Sequence, residues 1–166
     1  TGHRVCVRER TKIGHDCRVG TMCDLQGDLS IENNVWLHSN VHLGKGSKIS
    51  SFVFIYPYVI LTNDPYPPSP IQNGVRIGEY SQIGAGSTIM PDVIIGQNVL
   101  IGAGANVTKD IADFSLALGN PAKVFRDVRE LKLPNGERAY PWPHRFDRGM
   151  PWSEIGYDQW LNQQEP

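Results

Sequence analysis

Two histidines four residues apart, His38 and His42, and the adjacent amide and carboxylate of Asn63 and Asp64 are the side chains best suited to chemistry in this sequence. An imidazole exchanges a proton near neutral pH and can act as a general base. An amide beside a carboxylate offers hydrogen-bond donors and acceptors side by side. The three cysteines, Cys6, Cys17 and Cys23, are odd in number and lack metal-type spacing, so reduced thiols are expected. A catalytic zinc needs three protein ligands and an open fourth position. Only His38 and His42 are placed for that, and no third histidine occurs between them and His144, so no metal site is expected.

What positions these residues is a repeat. Stepping by six from Val7 gives Ile13, Val19, Leu25, Ile31, Leu37, Leu43, Ile49, Ile55 and Leu61, all branched aliphatics. The phase breaks there and resumes at Ile77, Ile83, Ile89, Ile95, Ile101 and Val107. Four residues after each aliphatic stands a small or β-branched residue, such as Cys17, Cys23, Val35, Val41, Ser47, Ser81 or Ala105. Three residues after it stands a type that tolerates a left-handed backbone: Asp16, Asp28, Asn34, Asn40, Gly46, Gly86, Asp92, Asn98, Gly104 and Asp110. Each hexad is therefore a short strand followed by a corner. Six is not a multiple of 3.6, which excludes a helix, and a corner every six residues excludes a hairpin barrel. A parallel β-solenoid with three hexads per coil remains, its aliphatics stacked in interior ladders.

The phase also orients the histidines. Leu37 and Leu43 point inward, so His38 and His42 point outward, His42 one coil from Ile60 and His38 one coil from Tyr56. The interruption at residues 62–76, TNDPYPPSPIQNGVR, lies close by and holds Asn63 and Asp64. Long excursions from a regular scaffold commonly carry function. An Asx turn before Pro65 is the purely structural alternative for Asp64.

The hexads IGAGST (83–88) and IGAGAN (101–106), followed by VTKDI and by GNPAK at 119–123, resemble those of the hexapeptide-repeat acyltransferases. The resemblance covers roughly residues 5–126 and implies an all-β, left-handed parallel β-helix over residues 1–124, with loop 62–76 and a C-terminal arm over 125–166. It implies a homotrimer using acetyl-coenzyme A as acyl donor. The LTNDPYPP loop is similar to that of the nucleotide-linked amino-sugar N-acetyltransferases, with Pro68 where that branch has arginine. On this resemblance Asn63 and Asp64 bind the acceptor. Gly84, Ala85, Gly102 and Ala103 admit the pantetheine, and Lys109, Lys123 and Arg126 meet the phosphates and adenine.

A net charge of -1, from 16 basic and 17 acidic residues, gives no field for a polyanion, so nucleic acid is not an expected partner. No apolar run approaches the length of a membrane span, and a cytoplasmic protein is expected. The arm carries Trp142, Trp152 and Trp160, a composition that points to order, with short helices expected over 126–132 and 153–162. The functional expectation is direct acyl transfer to a sugar amine, possession of a nucleotide handle being open. The alternatives are O-acetylation of a sugar hydroxyl, a carbonic-anhydrase-like zinc solenoid and a non-catalytic scaffold.

Overall fold

A computed structural model describes residues 1–164 of the chain. The hexads form two-residue parallel strands in three sheets, one for each side of the coil. Sheet A contains Cys6–Val7, Asp24–Leu25, His42–Leu43, Ile60–Leu61, Thr88–Ile89 and Asn106–Val107. Sheet B contains Lys12–Ile13, Ser30–Ile31, Lys48–Ile49, Arg76–Ile77 and Ile94–Ile95. Sheet C contains Arg18–Val19, Trp36–Leu37, Phe54–Ile55, Gln82–Ile83, Leu100–Ile101, Ser115–Leu118 and Lys123–Asp127. Up to Val107 neighbouring strands within each sheet are 18 residues apart, as in the pairing of Leu25 with Leu43, except across the loop, where Leu61 pairs with Ile89; beyond it the spacing shortens, Leu100 pairing with Leu116. This is the parallel β-solenoid expected from the repeat, and the left-handed β-helix that the resemblance implies.

The ladders explain the core. Leu25, Leu43, Leu61 and Ile89 are at most 1% exposed, because each is covered by the aliphatic above and below and by the other two sheets. Val7 and Ile13 are 49% and 39% exposed, since in the first coil only one side of each meets another coil. Ser47, Ser81 and Ser87 stand in the inward column at no cost in unpaired groups: their hydroxyls donate to the carbonyls of Gly44, Gly96 and Gly102 at 2.7, 2.7 and 2.9 Å.

The corners run as the repeat requires, with additions. Nine of the ten expected residues have positive φ, from 50° at Asp28 to 80° at Gly46. Asp110 does not, because the chain changes phase after Val107: Ile111 bridges to Ile95, and Asp110 Oδ1 instead accepts the Ile94 N–H at 2.8 Å. Bulky residues also take the left-handed corner, among them Phe52 (60°), Tyr58 (62°) and Tyr80 (59°). Phe52 and Tyr80 stack at 5.0 Å between ring centroids, and such stacking offsets part of the roughly 1–2 kcal/mol strain of that conformation.

The chain divides into two compact units, Thr1–Arg126 and Asp127–Pro166. In the second unit Trp142 and Trp152 are each 1% exposed, 5.9 Å apart, and the Trp152 indole donates to the Phe146 carbonyl at 2.9 Å. The expected helix over 126–132 is replaced by strand through Asp127 and a 3-10 turn, Val128–Glu130, capped by the Asp127 carboxylate. The last helix begins at Tyr157 rather than Ser153, since Gly156 at φ 81° stands between them and the Gly156 carbonyl accepts the first helical N–H, from Trp160. Residues 165–166 of the expected arm lie outside the described residues. Among the described residues no helix is long and apolar enough to cross a membrane.

Candidate active site

His42 is the outward residue of its strand in sheet A, opposite Asp24 on one side and Ile60 on the other. Strand alternation thus puts Asp24 and His42 on one face. Asp24 Oδ2 lies 3.3 Å from His42 Nδ1 and 3.3 Å from an Arg8 guanidinium nitrogen, while Asp24 Oδ1 is buried without a hydrogen-bond partner. A carboxylate facing Nδ1 favours the tautomer with its proton there and leaves Nε2 to accept one. Asp24 was not among the residues expected from sequence. Its signal was its position, 18 residues and therefore one coil before His42.

The inserted loop leaves sheet A at Leu61 and rejoins sheet B at Arg76. Its first residue is anchored: Thr62 donates both its N–H (3.0 Å) and its hydroxyl (2.8 Å) to the Ile89 carbonyl. Asn63 closes the base, its carbonyl accepting from the Asn73 N–H at 2.7 Å and its side-chain amide donating to Gln72 Oε1. Gly44 lies beneath. A Cβ there would sit 2.6 Å from the Leu61 carbonyl oxygen and 3.0 Å from Asn63 Cβ. Gly44 is two residues past His42, so Asn63 lies over the backbone just beyond His42, where sheet A turns toward sheet B. The Asp64 carboxylate is engaged inside the loop, accepting from Ser69 Oγ (2.6 Å), the Ser69 N–H (2.8 Å) and the Tyr66 N–H (2.9 Å). The Ser69 hydroxyl foremost, then the two N–H groups, holds its pKa below the ordinary value.

His38 occupies the other edge of sheet A, where sheet C turns into it. Its ring stacks on Tyr56 at 5.0 Å with an interplanar angle of 8°, and burial lowers its pKa, favouring neutral imidazole. The coil-to-coil hydrogen bonds His38 N to Ile55 O, Tyr56 N to Ile83 O and Gly84 N to Ile101 O make His38, Tyr56, Gly84 and Gly102 one column. A Cβ at Gly84 would lie 2.5 Å from Ala103 N and 2.6 Å from Ile101 O. The glycine is thus required by coil stacking, while Ala85 and Ala103 beside it are exposed. GNPAK is pinned to this end of the solenoid by Asn106, whose amide donates to Asn120 Oδ1 at 3.2 Å and whose carbonyl accepts the Ala122 N–H at 2.8 Å.

Lys109 is not on that column. It follows Val107 by two residues, as Asn63 follows Leu61, and both aliphatics belong to the sheet A ladder, so Lys109 shares the Asn63 edge. Lys123 and Arg126 are exposed on the outermost strand of sheet C, the Arg126 guanidinium 4.6 Å from the centre of the Phe125 ring. The expected donor residues of one chain therefore fall on two separate edges. The Cys17 and Cys23 thiols, pushed up by burial, donate to the carbonyls of Glu32 (2.9 Å) and His38 (3.0 Å). Among the described residues no three His, Cys, Asp or Glu side chains converge to hold a metal ion.

Comparison with known proteins agrees with this architecture. The family model described as bacterial transferase hexapeptide (six repeats) matches residues 74–109. The Saccharomyces cerevisiae protein YJL218W, assigned by name to the acetyltransferases, is 34% identical over 118 residues, which are 65% of this chain and 60% of that protein. The bifunctional protein GlmU of Synechococcus sp. (strain CC9311) is 28% identical over 73% of this chain and 26% of its own length. The chain thus spans less than two thirds of these relatives. Among solved structures, the acetyltransferase domain of PglB from Neisseria gonorrhoeae FA1090 shares the fold with a TM-score of 0.51 at 24% identity, over 73% of this chain and 57% of that one. The same domain has been solved in complex with acetyl coenzyme A.

Proposed function

We propose that this chain, which carries the repeat of the hexapeptide transferase family, moves an acetyl or other short acyl group from coenzyme A to an amine on a sugar. The observation that carries the reading is that Asn63, at the base of an inserted loop that departs from an otherwise strict scaffold, lies against Gly44, two residues past the outward-facing His42. Asn63 orients the acceptor, Asp64 fixes the loop that presents Asn63, and His42 takes the proton as the nitrogen attacks the thioester carbonyl. The tetrahedral adduct then expels the coenzyme A thiolate. Attack is direct. Two of the thiols are tied to carbonyls and shifted toward the protonated form by burial, a poor state for an acyl-enzyme.

The division of donor residues between two edges supports a homotrimer. One protomer's column of His38, Gly84, Ala85, Gly102 and Ala103 faces a neighbour's edge carrying Asn63 and Lys109, with Lys123 and Arg126 toward the phosphates. The names of YJL218W and of the PglB domain, and the latter's complex, support acetyl-coenzyme A as donor. A sugar hydroxyl as acceptor is the second reading. The Asp24–His42 pair favours it, because a hydroxyl needs a general base more than an amine does.

Thermal shift separates the classes. Coenzyme A at about 100 times its Kd adds roughly 2.7 kcal/mol of stability, whereas zinc adds none. Stabilisation by zinc and not by coenzyme A overturns the proposal.

A further inference from the structure

Sheet B presents an outward column of Lys12, Ser30, Lys48, Arg76 and Ile94, with three cations and no carboxylate. Lys48 and Arg76 are directly opposite each other in register. Like charges so placed on a sheet destabilise it unless something lies between them. Among the described residues only their main-chain N–H groups are bonded, to the Val75 and Val93 carbonyls, and neither side chain has an ion pair or hydrogen bond. They border a groove of about 390 Å³ whose floor is Ser50, Gly78 and Gly96 in successive coils, where small or absent side chains leave the main chain open. The groove's two carboxylates have other work: Glu32 Oε2 accepts from the Ser51 N–H at 2.9 Å and its hydroxyl at 3.1 Å, and Asp113 Oδ1 accepts the Gln97 N–H at 2.8 Å.

We propose that this groove binds a phosphate ester or diphosphate, gripped by Lys48 and Arg76. Adjacent rungs are about 4.8 Å apart, a spacing that lets two cations reach different oxygens of one phosphate or adjoining phosphates of a diphosphate. The arginine fork matches two phosphate oxygens, and the phosphate keeps a further oxygen, and a diphosphate a further phosphate, for Lys48. The floor amides are already committed, Gly78 N to Ile95 O and Gly96 N to Ile111 O, so the side chains supply the grip. Arg76 is also where the inserted loop rejoins the solenoid, which places the groove around the corner from Asn63. The phosphate can therefore belong to the acceptor or to a separate ligand.

The site stands without the acyl-transfer reading, and calorimetry with pyrophosphate at constant ionic strength tests it without turnover. Saturable binding is expected, weakened about tenfold or more by Lys48→Gln and by Arg76→Gln, and unchanged by Lys12→Gln. All three positions are exposed, and melting checks that each variant is folded. Equal binding by a folded Lys48→Gln/Arg76→Gln double variant, or no saturable binding by the wild type, overturns the proposal. Turnover then tells the two sources apart. A rise in KM confined to phosphate-linked amino sugars in the double variant assigns the groove to the acceptor. Unchanged KM alongside lost pyrophosphate binding assigns it to a separate phosphorylated ligand.

Discussion

Replacing Gly44 by alanine tests the link between the repeat and the loop edge. The Gly44 N–H donates to the Leu61 carbonyl at 2.8 Å, one of the bonds that join successive coils. The new methyl group would stand 2.6 Å from that same oxygen, 0.8 Å inside the 3.4 Å at which ordinary contact begins (3.4 − 2.6), and also 3.0 Å from Asn63 Cβ. A backbone oxygen held by this bond has little room to give, so the change belongs with overpacking at about 1–3 kcal/mol. For a domain of this size that is a fall in Tm of about 2–12 °C. Because the displaced group is the base of the loop, Asn63 moves as well, and a misplacement near 1 Å can lower turnover by as much as about a hundredfold. Gly136→Ala is the control, since nothing lies within 4 Å of its Cβ and only the strain of φ 88° applies. It should lose about 1–2 kcal/mol at most and turn over normally. Melting curves and steady-state kinetics on both variants decide the matter. If Gly44→Ala melts and turns over as the wild type does, the placement of Asn63 over Gly44 is wrong.

Ile95, 1% exposed in the sheet B ladder, should not tolerate Ile95→Asp: an unpaired carboxylate among stacked aliphatics loses several kcal/mol, and wild-type-like melting would contradict the ladder. His42→Ala and Asp24→Asn should both lower turnover with a hydroxyl acceptor, the former by about a hundredfold or more, while coenzyme A affinity holds; unaltered rates in both remove His42 from the mechanism. The hydrogen bond from Arg10, followed by one from Lys45, holds the Asp28 carboxyl down at about 2 against an ordinary 3.8. Its folded pKa is depressed, so its contribution to stability is complete above the ordinary value and is lost as pH falls toward about 2. A carboxyl titration by NMR should show this, and Arg10→Ala should move Asp28 back toward 3.8; an unmoved titration would show that Arg10 is not the cause.

The solenoid was legible because its period is enforced at every coil: an inward aliphatic and a left-handed corner recur whatever the intervening residues. The same phase correctly placed His42 beside Ile60 and His38 beside Tyr56. It did not announce Phe52, Tyr58 or Tyr80 as left-handed corners, since these types disfavour that conformation alone; Phe52 and Tyr80 are accommodated by stacking on each other between coils. Asp110 followed the expected type but not the geometry, because four residues rather than six separate Val107 from Ile111. Asp24 required looking one coil back from His42, and the separation of Lys109 from Gly84 required tracking which of three edges each residue occupies. The start of the last helix turned on Gly156, whose positive φ outweighs the capping tendency of Ser153.

Mass spectrometry of the products formed with acetyl-coenzyme A and a panel of amino sugars, their nucleotide-linked forms and plain sugars tests the central claim directly. The account predicts one amino sugar or amino-sugar nucleotide carrying a single added acetyl group, formed with stoichiometric release of free coenzyme A and abolished or strongly slowed in Asn63→Ala. A fully folded enzyme that binds coenzyme A yet acetylates no sugar, or one that acetylates equally well without Asn63, would contradict it.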